Sequence, residues 1–333
     1  MQVEVEFGHS GVVATPLGLG ANAVGGYNLF PQLNDKQGLS VVRAALDHGI
    51  HLIDTAYVYG LGHSETLIGE AIQDYDRYSF ALASKGAHDY STGDRVINNH
   101  PDFLTQQVEK SLQRLGTDYL DIFYIHYPDQ DTPKAEAVGA LQRLKEAGKI
   151  RAIGLSNFSL AQVKEANADG YVDVVEDEFS LLHQQNARDL VPYLKEQGIS
   201  FVPYFPLASG LLTGKYDQAT SFPADDIRST MADFREPRFG KIRGALAVVR
   251  TIAASHGATV SQVVLAWYMQ NPLITAVIPG AKQPDQVIQN AAALQLELTP
   301  SEYQTIEEAF TGFKQKTGPN RMLRWVPFYD ARR

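Results

Sequence analysis

The sequence contains no cysteine among its 333 residues. Disulfides, thiolate metal sites and a cysteine nucleophile are therefore excluded. No apolar run approaches the roughly 18 residues that a membrane-spanning helix needs. The first residues, MQVEVEFGHSG, alternate and carry acidic side chains, a pattern unlike that of a secretion signal. We therefore expect a soluble, cytoplasmic protein without a membrane partner.

Positive charge is scarce. The chain has 29 Lys and Arg against 38 Asp and Glu, a net charge of −9. General binding to nucleic acid requires a basic face, so we expect no nucleic-acid partner. An anionic cofactor is still compatible with this composition, because an acidic protein can contain a local basic pocket. With 44% hydrophobic and 20% charged residues, the chain is typical of a folded globular protein.

Apolar segments alternate with helical periodicities along most of the chain. A short hairpin around a Gly-His-Ser-Gly turn is followed by eight strand–helix units. Their strands are apolar runs, as parallel strands buried on both faces usually are. The pattern predicts an α/β fold, a (β/α)8 TIM barrel with an N-terminal hairpin and extra C-terminal helices. No linker divides it, so a single domain over residues 1–333 is predicted. An open dinucleotide-binding sheet is disfavoured, because no G-x-G-x-x-G follows a strand.

Several local features are predicted with this fold. Ser64, ahead of an amphipathic stretch, is predicted to cap a helix. Residues 86–102 are predicted to be a polar loop, and residues 275–280 the last strand. The Gly- and Pro-rich residues 209–240 form a long irregular segment. The tail, residues 316–333, has no clear period, and its Trp325 and Phe328 fit either a cover over the barrel mouth or packing on the barrel wall.

Four polar residues follow the ends of neighbouring predicted strands. Asp54 ends the second strand and Tyr59 lies on the loop after it, whereas Lys85 and His126 end the third and fourth. Each has an ordinary structural explanation when taken alone. The carboxyl ends of barrel strands meet at one face, however, so these side chains should converge there.

Together the four residues predict a proton-donating site. A phenol has a pKa of about 10, too high for efficient proton transfer near neutrality. A nearby ammonium lowers that pKa, and a carboxylate keeps the ammonium charged. This assigns Tyr59 as general acid, Lys85 as its modulator, Asp54 as the partner of Lys85, and His126 as a second donor to a carbonyl oxygen. The remaining histidines lack metal-ligand spacing, so no metal site is predicted.

The motifs DTAYVYG with GHSE, ASK and YIHYPD resemble those of the aldo-keto reductase family, and the resemblance extends along nearly the whole chain. It implies reduction of a small aldehyde or ketone by hydride transfer from NADPH, with Tyr59 protonating the carbonyl oxygen. Within the family, NAVGGYNLFP, FYIHYPDQDTPKAEAV and PYFPLASGLL are most similar to the reductases of bacterial inositol-utilisation operons.

The resemblance also implies a cofactor site. Ser156 and Asn157 of GLSNFS correspond to residues that hold the nicotinamide carboxamide, and Tyr204 to a tyrosine that stacks on the nicotinamide ring. Residues 209–240 would form a lid over the dinucleotide. The remaining implied contacts are, for the pyrophosphate, Leu207, Gly210, Thr213 and Lys215, and, for the adenosine phosphate, Gly280, Ala281, Lys282, Gln286 and Asn290.

The sequence departs from the family pattern at Glu176, where a glutamine usually contacts the carboxamide. A carboxylate accepts a hydrogen bond from the carboxamide NH2 but cannot donate one to its oxygen. We hypothesise that Glu176 either favours the cationic oxidised cofactor or has a raised pKa. A second departure is Gln283, where close relatives tend to carry arginine. Lys282 still provides a point charge for phosphate, so NADP(H) is predicted over NAD(H), with a weaker preference than in relatives.

Two other functions compete with a reductase. A non-catalytic nicotinamide-binding regulatory or sensor subunit would resemble the family's channel-associated β subunits, although the complete set of four residues favours an enzyme. A hydrolytic barrel would need paired catalytic carboxylates or a metal site at the strand ends. The motifs determine neither the physiological substrate nor the oligomeric state.

Overall fold

The structure is a computed structural model that describes residues 4–30, 32–224 and 226–313; the tail with Trp325 and Phe328 lies outside these residues. In chain order, the strands are β1 (Val5–Phe7), β2 (Val12–Ala14), β3 (Leu19–Gly20), β4 (Leu52–Asp54), β5 (Ala81–Gly86), β6 (His88–Asp89), β7 (Val96–Ile97), β8 (Leu120–Ile125), β9 (Ile150–Ser156), β10 (Val174–Glu178) and β11 (Ser200–Tyr204). The α-helices are α1 (Asp35–Asp47), α2 (His63–Ile72), α3 (Pro101–Leu115), α4 (Lys134–Glu146), α5 (Leu160–Ala166), α6 (Gln185–Glu196), α7 (Arg238–Ser255), α8 (Val260–Met269), α9 (Pro284–Ala291) and α10 (Pro300–Phe310).

Seven strands form one parallel sheet in the order β3-β4-β5-β8-β9-β10-β11. Residues 275–280 take the eighth position between its two edges. On one side Gly18 N donates to Val277 O at 2.8 Å, and on the other Tyr204 and Ile278 form a parallel bridge. The sheet therefore closes into the predicted (β/α)8 barrel. Its last strand consists of isolated bridges instead of a regular ladder.

The hairpin β1–β2 closes the amino-terminal end of the barrel. Its buried residues Phe7 and Val12 belong to the same apolar cluster as Leu52 and Val174, which begin β4 and β10. Gly8 N also donates to the Ser200 hydroxyl at the start of β11, at 2.9 Å. The opposite, carboxyl-terminal end is thus the face at which barrel enzymes place their chemistry.

Tyr124 of β8 fills the interior of the barrel. It is 1% exposed and pairs in register with Gly154 of β9. A Cβ atom at position 154 would overlap the Tyr124 ring. Lys85 Nζ lies 5.4 Å from the centroid of that ring. Gly154 thus leaves the space that the tyrosine needs in order to fill the barrel beneath Lys85.

A second apolar layer lies between the sheet and the outer helices. Trp267 of α8 is fully buried in it and stacks on Tyr303 of α10, with ring centroids 5.6 Å apart. Trp267 is therefore a core residue of the fold. No helix within the described residues has both the length and the apolar character needed to cross a membrane.

The prediction that Ser64 caps a helix is wrong. Helix α2 begins at His63, and its N-cap is Gly62, two residues before Ser64 and in a left-handed conformation. The Ser64 side chain is fully buried, and its hydroxyl bonds the Thr55 hydroxyl at 2.8 Å and the Ala21 carbonyl at 3.3 Å. Tertiary partners therefore take the oxygen that a capping serine would offer to its own helix.

Two irregular regions contain more structure than the sequence predicts. Residues 86–102 include the antiparallel pair β6–β7 and the first residues of α3. Residues 209–240 contain short 3-10 helices, and α7 begins at Arg238, inside this segment. Tyr216 anchors this second region, because its ring lies 5.4 Å from Phe222 and 5.3 Å from Phe234.

We predict that Gly154→Ala lowers the free energy of unfolding by about 1–3 kcal/mol, because the new methyl group overpacks the barrel against Tyr124. The matched control is Gly139→Ala in the interior of α4, where an added Cβ meets nothing within 4 Å. That change should stabilise the protein by about 0.5–1 kcal/mol. Urea unfolding measures both, and equal midpoints for the two variants would contradict the proposed packing.

Candidate active site

The ammonium of Lys85 lies at the centre of a buried polar cluster. It donates a short hydrogen bond to Asp54 Oδ1 and a second one to the Thr55 carbonyl at 3.1 Å. Glu176 Oε2 lies 3.3 Å from the same nitrogen. The side chains of Lys85, Asp54 and Glu176 are each 4% exposed or less. The charged groups are therefore withdrawn from water and depend on one another.

Strand alternation brings these residues together. Asp54 and Lys85 lie two residues beyond Leu52 and Ala83, whose side chains line the barrel interior, so they point inward as well. β4 and β5 are adjacent, as the sequence predicts. Glu176 comes from β10, which is separated from β5 in the sheet by β8 and β9. It reaches Lys85 across the interior of the barrel.

The three ionisable groups shift one another's pKa values. Burial alone would lower the pKa of Lys85, but the Asp54 and Glu176 carboxyl groups outweigh burial and hold it above its usual range. Burial raises the pKa of Asp54 although Lys85 opposes this shift. Burial and the charge of Asp54 together raise the pKa of Glu176 to about 8. Lys85 is therefore charged near neutrality, whereas Glu176 keeps a proton.

Tyr59 lies beside this cluster. Lys85 Nζ is 5.7 Å from its ring centroid, and the ring meets that of His126 edge-on at 6.2 Å. Burial raises the pKa of the Tyr59 phenol well above its usual range, and the Lys85 charge lowers it only in part. The predicted effect of the lysine has the expected sign, but burial is larger. The phenol therefore stays protonated, as a proton donor must.

Asn28 fixes the loop that carries Tyr59. Its Nδ2 donates to the Val58 carbonyl at 2.9 Å, and its Oδ1 accepts from Gly60 N at 2.7 Å. Asn28 therefore holds both chain neighbours of Tyr59. Sequence reasoning missed this residue, because it lies 32 positions away from Gly60 and no local pattern connects the two.

His126 follows β8 and is 7% exposed. It packs edge-on against His88 at 5.0 Å and beside Tyr127 at 5.1 Å. Burial holds the pKa of His126 well below its usual range, and it lowers the pKa of His88 to about 3. Both rings are therefore neutral near pH 7. A neutral imidazole still has one N–H, which suits His126 as a hydrogen-bond donor to a substrate oxygen.

The residues predicted to hold the carboxamide also lie together. Asn157 adopts a left-handed backbone conformation with φ of 67° directly after β9. Its Nδ2 donates to the His126 carbonyl at 2.9 Å and to Ser156 Oγ at 3.0 Å. Its Oδ1 accepts from the Tyr204 hydroxyl at 3.0 Å. Because Glu176 pairs in register with Ser156, the predicted carboxamide residues adjoin the Lys85 cluster.

The segment predicted to cover the pyrophosphate follows β11 directly. Leu207 precedes a 3-10 helix over Ala208–Thr213, and the Thr213 hydroxyl donates to the Gly210 carbonyl at 2.7 Å. Gly210 has a positive φ of 82°, and a side chain there would crowd Lys215. The four predicted residues therefore form one compact turn at the carboxyl-terminal face.

A basic cluster surrounds Lys282. Partial burial, followed by the charges of Arg228 and Lys215, lowers the pKa of Lys282. Its Nζ also lies 4.2 Å from the centroid of the Phe30 ring. Arg228 pairs with Asp226 through a short contact. Three cations and one carboxylate give this region a positive balance, which favours an anionic group.

The other residues of the predicted adenosine-phosphate segment have mixed roles. Gly280 forms a parallel bridge with Gly20 and so helps to close the barrel. Gln286 Oε1 accepts from Lys282 N at 2.8 Å and caps the start of α9. Asn290 lies one turn further along α9 and is 7% exposed. The side-chain oxygen of Gln286 thus stabilises the start of α9, a role that the sequence alone does not show.

Comparisons with known proteins agree with this geometry. The sequence model of the "Aldo/keto reductase family" matches residues 16–310. The chain is 35% identical over 280 residues to the aldo-keto reductase YhdN of Bacillus subtilis, covering 84% of each chain. It is 30% identical to the NADH-specific methylglyoxal reductase of Escherichia coli, covering 92% of this chain and 97% of that one. The solved glycerol dehydrogenase AKR11B4 of Gluconobacter oxydans superposes with a TM-score of 0.85 at 30% identity, over 92% of this chain and 94% of that one.

The chain belongs to the aldo/keto reductase family. It is therefore an oxidoreductase with the (β/α)8 barrel of that family, and its cofactor is a nicotinamide dinucleotide. The similarity to the reductases of inositol-utilisation operons is not among these findings and stays a prediction.

The residues present fit a nicotinamide cofactor. Glu176 Oε2 is buried and has no hydrogen-bond partner within the described part of the chain, although Lys85 lies at ion-pair distance. An acceptor of this kind suits the NH2 group of a carboxamide. At the other end of the site, the cations around Lys282 suit phosphate groups. The aldo-keto reductase thus offers complementary groups to both ends of the dinucleotide.

Glu65 of the GHSE motif has a structural role in this aldo-keto reductase. Its side chain is fully buried, with Oε1 accepting from the Ser84 hydroxyl and Oε2 from Arg114 Nε, both at 2.6 Å. Ser84 precedes Lys85 on β5 and points to the opposite face of the sheet. The motif therefore ties α2 and α3 to the strand that carries the lysine.

We predict that Glu65→Ala lowers the free energy of unfolding by roughly 3–5 kcal/mol, because it leaves Arg114 without its buried partner. The comparison variant is Asp35→Asn, which removes the exposed pair with His63 and should cost less than about 1 kcal/mol. Denaturant unfolding gives both values. If the two variants lost equal stability, the assigned role of Glu65 would be wrong.

Proposed function

We propose that the protein reduces a small aldehyde or ketone with NADPH, and that Tyr59 is the general acid. The observation that carries this proposal is the buried Lys85 ammonium, held between Asp54 and Glu176 beside the Tyr59 phenol. His126 completes the site as a neutral donor. These are the four residues that sequence analysis selects, with Glu176 added.

The mechanism follows from the charges in the site. When bound, the reduced nicotinamide supplies the hydride. Tyr59 gives its phenolic proton to the carbonyl oxygen of the substrate, and His126 donates a hydrogen bond to the same oxygen. Lys85 stabilises the phenolate that remains, because it carries a full positive charge near the ring. Asp54 keeps Lys85 charged and in place.

We propose how the site orients the cofactor, from the nicotinamide end to the phosphate end. Ser156, Asn157 and Glu176 would hold the carboxamide, and Tyr204 would lie against the nicotinamide ring. The turn over residues 207–215 would cover the pyrophosphate. NADP(H) is proposed over NAD(H), because Arg228, Lys215 and Lys282 crowd one location where a 2′-phosphate would relieve their mutual repulsion. The Escherichia coli relative is NADH-specific, so this preference varies among relatives.

The remaining elements of the proposal concern the substrate and the organisation of the chain. Relatives named for methylglyoxal and glycerol support a small polar carbonyl compound as substrate. The resemblance of NAVGGYNLFP and PYFPLASGLL to the reductases of inositol-utilisation operons adds an oxidised cyclitol or sugar as a candidate within that class. We also infer one barrel domain over residues 1–333 and a cytoplasmic location, and the match over residues 16–310 supports the single domain.

We predict that Tyr59→Phe reduces kcat for small aldehydes by about 10²–10⁴-fold, because the variant lacks the acidic proton. NADPH binding, measured by fluorescence titration, should be preserved, since the ring remains. The test is NADPH oxidation with a panel of aldehydes and ketones. Equal rates in the two proteins would refute the assigned acid. No turnover in either, with tight NADPH binding, would favour the non-catalytic binding subunit.

We predict that Lys282→Gln raises the KM for NADPH about tenfold or more, because it removes a charged partner of the 2′-phosphate. The KM for NADH should not change, since NADH lacks that phosphate. Lys195→Gln on α6 makes the same change of charge at an exposed position and should affect neither value. A parallel rise for both cofactors would show that Lys282 does not contact the 2′-phosphate.

A further inference from the structure

Glu176 gives the lysine of this site a second carboxyl partner. Its Oε2 lies 3.3 Å from Lys85 Nζ, and its side chain is 4% exposed. Asp54 bonds the same nitrogen on another side. Two carboxyl groups therefore face one buried ammonium.

Charge balance in the buried cluster requires a proton on one of the two carboxyl groups. If both were ionised, two negative charges would face the single positive charge of Lys85 in a site withdrawn from water. One proton on the pair leaves a single negative charge opposite the Lys85 ammonium, so the buried cluster is neutral as a whole. Asp54 has the shorter contact with the ammonium, which places the proton on Glu176. The raised pKa of Glu176, about 8, agrees with this assignment.

We propose that Glu176 stores a proton at Lys85 and, through Lys85, replaces the proton that Tyr59 gives to the substrate. The storage part stands on the Asp54–Lys85–Glu176 geometry alone, whereas the transfer part rests on the proposed function of Tyr59. Glu176 acts on the phenol through Lys85 and is therefore a positioning and proton-supplying residue.

The proposed step is a chain of proton transfers in which no other bond changes. After the phenol has protonated the substrate oxygen, one N–H proton of the Lys85 ammonium passes to the Tyr59 phenolate. The O–H proton of Glu176 then passes to the neutral amine, which restores the ammonium. Glu176 is left as a carboxylate and recovers its proton from water before the next turnover.

Several titratable groups surround Glu176 and define its electrostatic environment. Asp54 and Tyr59 face it from β4 and the loop after it, and Lys85 faces it from β5. The nearby phenols, whose own pKa values the Glu176 charge raises, are Tyr124 of β8, Tyr127 after it and Tyr204 of β11. Within the described residues, Lys85 is the cation that contacts Glu176, so it is the partner through which a proton can move.

Infrared spectroscopy of the protein without cofactor or substrate tests proton storage directly. Between about pH 7 and 8, the carbonyl stretch of a protonated carboxylic acid should be present in the wild type and lost in Glu176→Gln. Asp177→Asn is the matched control, because Asp177 is the next residue of β10, is also buried, and has a pKa raised to about 7 by burial. The band assigned to Glu176 should persist in that variant. If this band were absent from the wild-type spectrum, the proposal would be overturned. That result depends on the wild type alone, so it does not require the variants to fold.

Kinetics test the transfer step. Above about pH 8, the wild-type kcat should fall by about tenfold, to the level of Glu176→Gln, because Glu176 then loses its proton. Glu176→Gln should lower kcat at neutral pH about tenfold and remove that pH dependence, while the first turnover, which uses the proton already on Tyr59, keeps its rate. Asp177→Asn should keep the wild-type profile.

The outcomes separate this inference from the proposed function. An unchanged pH profile in Glu176→Gln, or an equal loss in the first and later turnovers, would overturn the transfer step. If Tyr59→Phe remained active while the infrared band of Glu176 was present, the role of Tyr59 would fail and proton storage would stand. If Tyr59→Phe were inactive and the infrared band were absent, the role of Tyr59 would stand and proton storage by Glu176 would fail.

Discussion

The buried ammonium of Lys85 is the constraint on which the site depends. An isolated charge inside a barrel is very costly, and partners from several directions must offset that cost. Asp54 provides one from the neighbouring strand, the Thr55 carbonyl a second, and Glu176 a third from the opposite wall. These contacts exist together only if the sheet closes. Closure of the barrel is therefore a condition for a charged lysine beside Tyr59, and not merely a scaffold for it.

The packing beneath the lysine links the core to the chemistry. Tyr124 fills the interior because Gly154 has no side chain, and the tyrosine ring lies directly against the space that Lys85 occupies. The buried Tyr124 ring shields this side of Lys85 from water. The low polarity that makes the Lys85–Asp54 pair strong also raises the pKa of Tyr59 and keeps His126 neutral. Burial thus keeps Tyr59 protonated and His126 neutral, whereas the neighbouring carboxyl groups keep Lys85 charged against burial.

The sequence predicts those parts of the fold and site that depend on neighbouring strands. Asp54, Lys85 and His126 follow or end adjacent strands, so alternation and barrel topology suffice to bring them together. The Glu176–Lys85 contact escapes such reasoning, because it joins strands that are not neighbours. Ser64 fails for a related reason, since its buried hydroxyl bonds Thr55 and Ala21 instead of its own helix. Local patterns report local structure, and tertiary partners override them where a polar side chain becomes buried.

The departure from the family pattern at Glu176 is consistent with its surroundings. An ionised carboxylate here would add a second negative charge to the cluster and would favour a cationic nicotinamide. Burial instead raises the pKa of Glu176 to about 8, which agrees with the second of our two hypotheses. A protonated carboxyl group carries no charge, and its Oε2 can accept from a carboxamide as the amide oxygen of glutamine would. Below that pKa, glutamate therefore keeps the neutrality and the acceptor of the family's glutamine. Unlike that glutamine, the protonated carboxyl group of Glu176 also carries a proton that it can release.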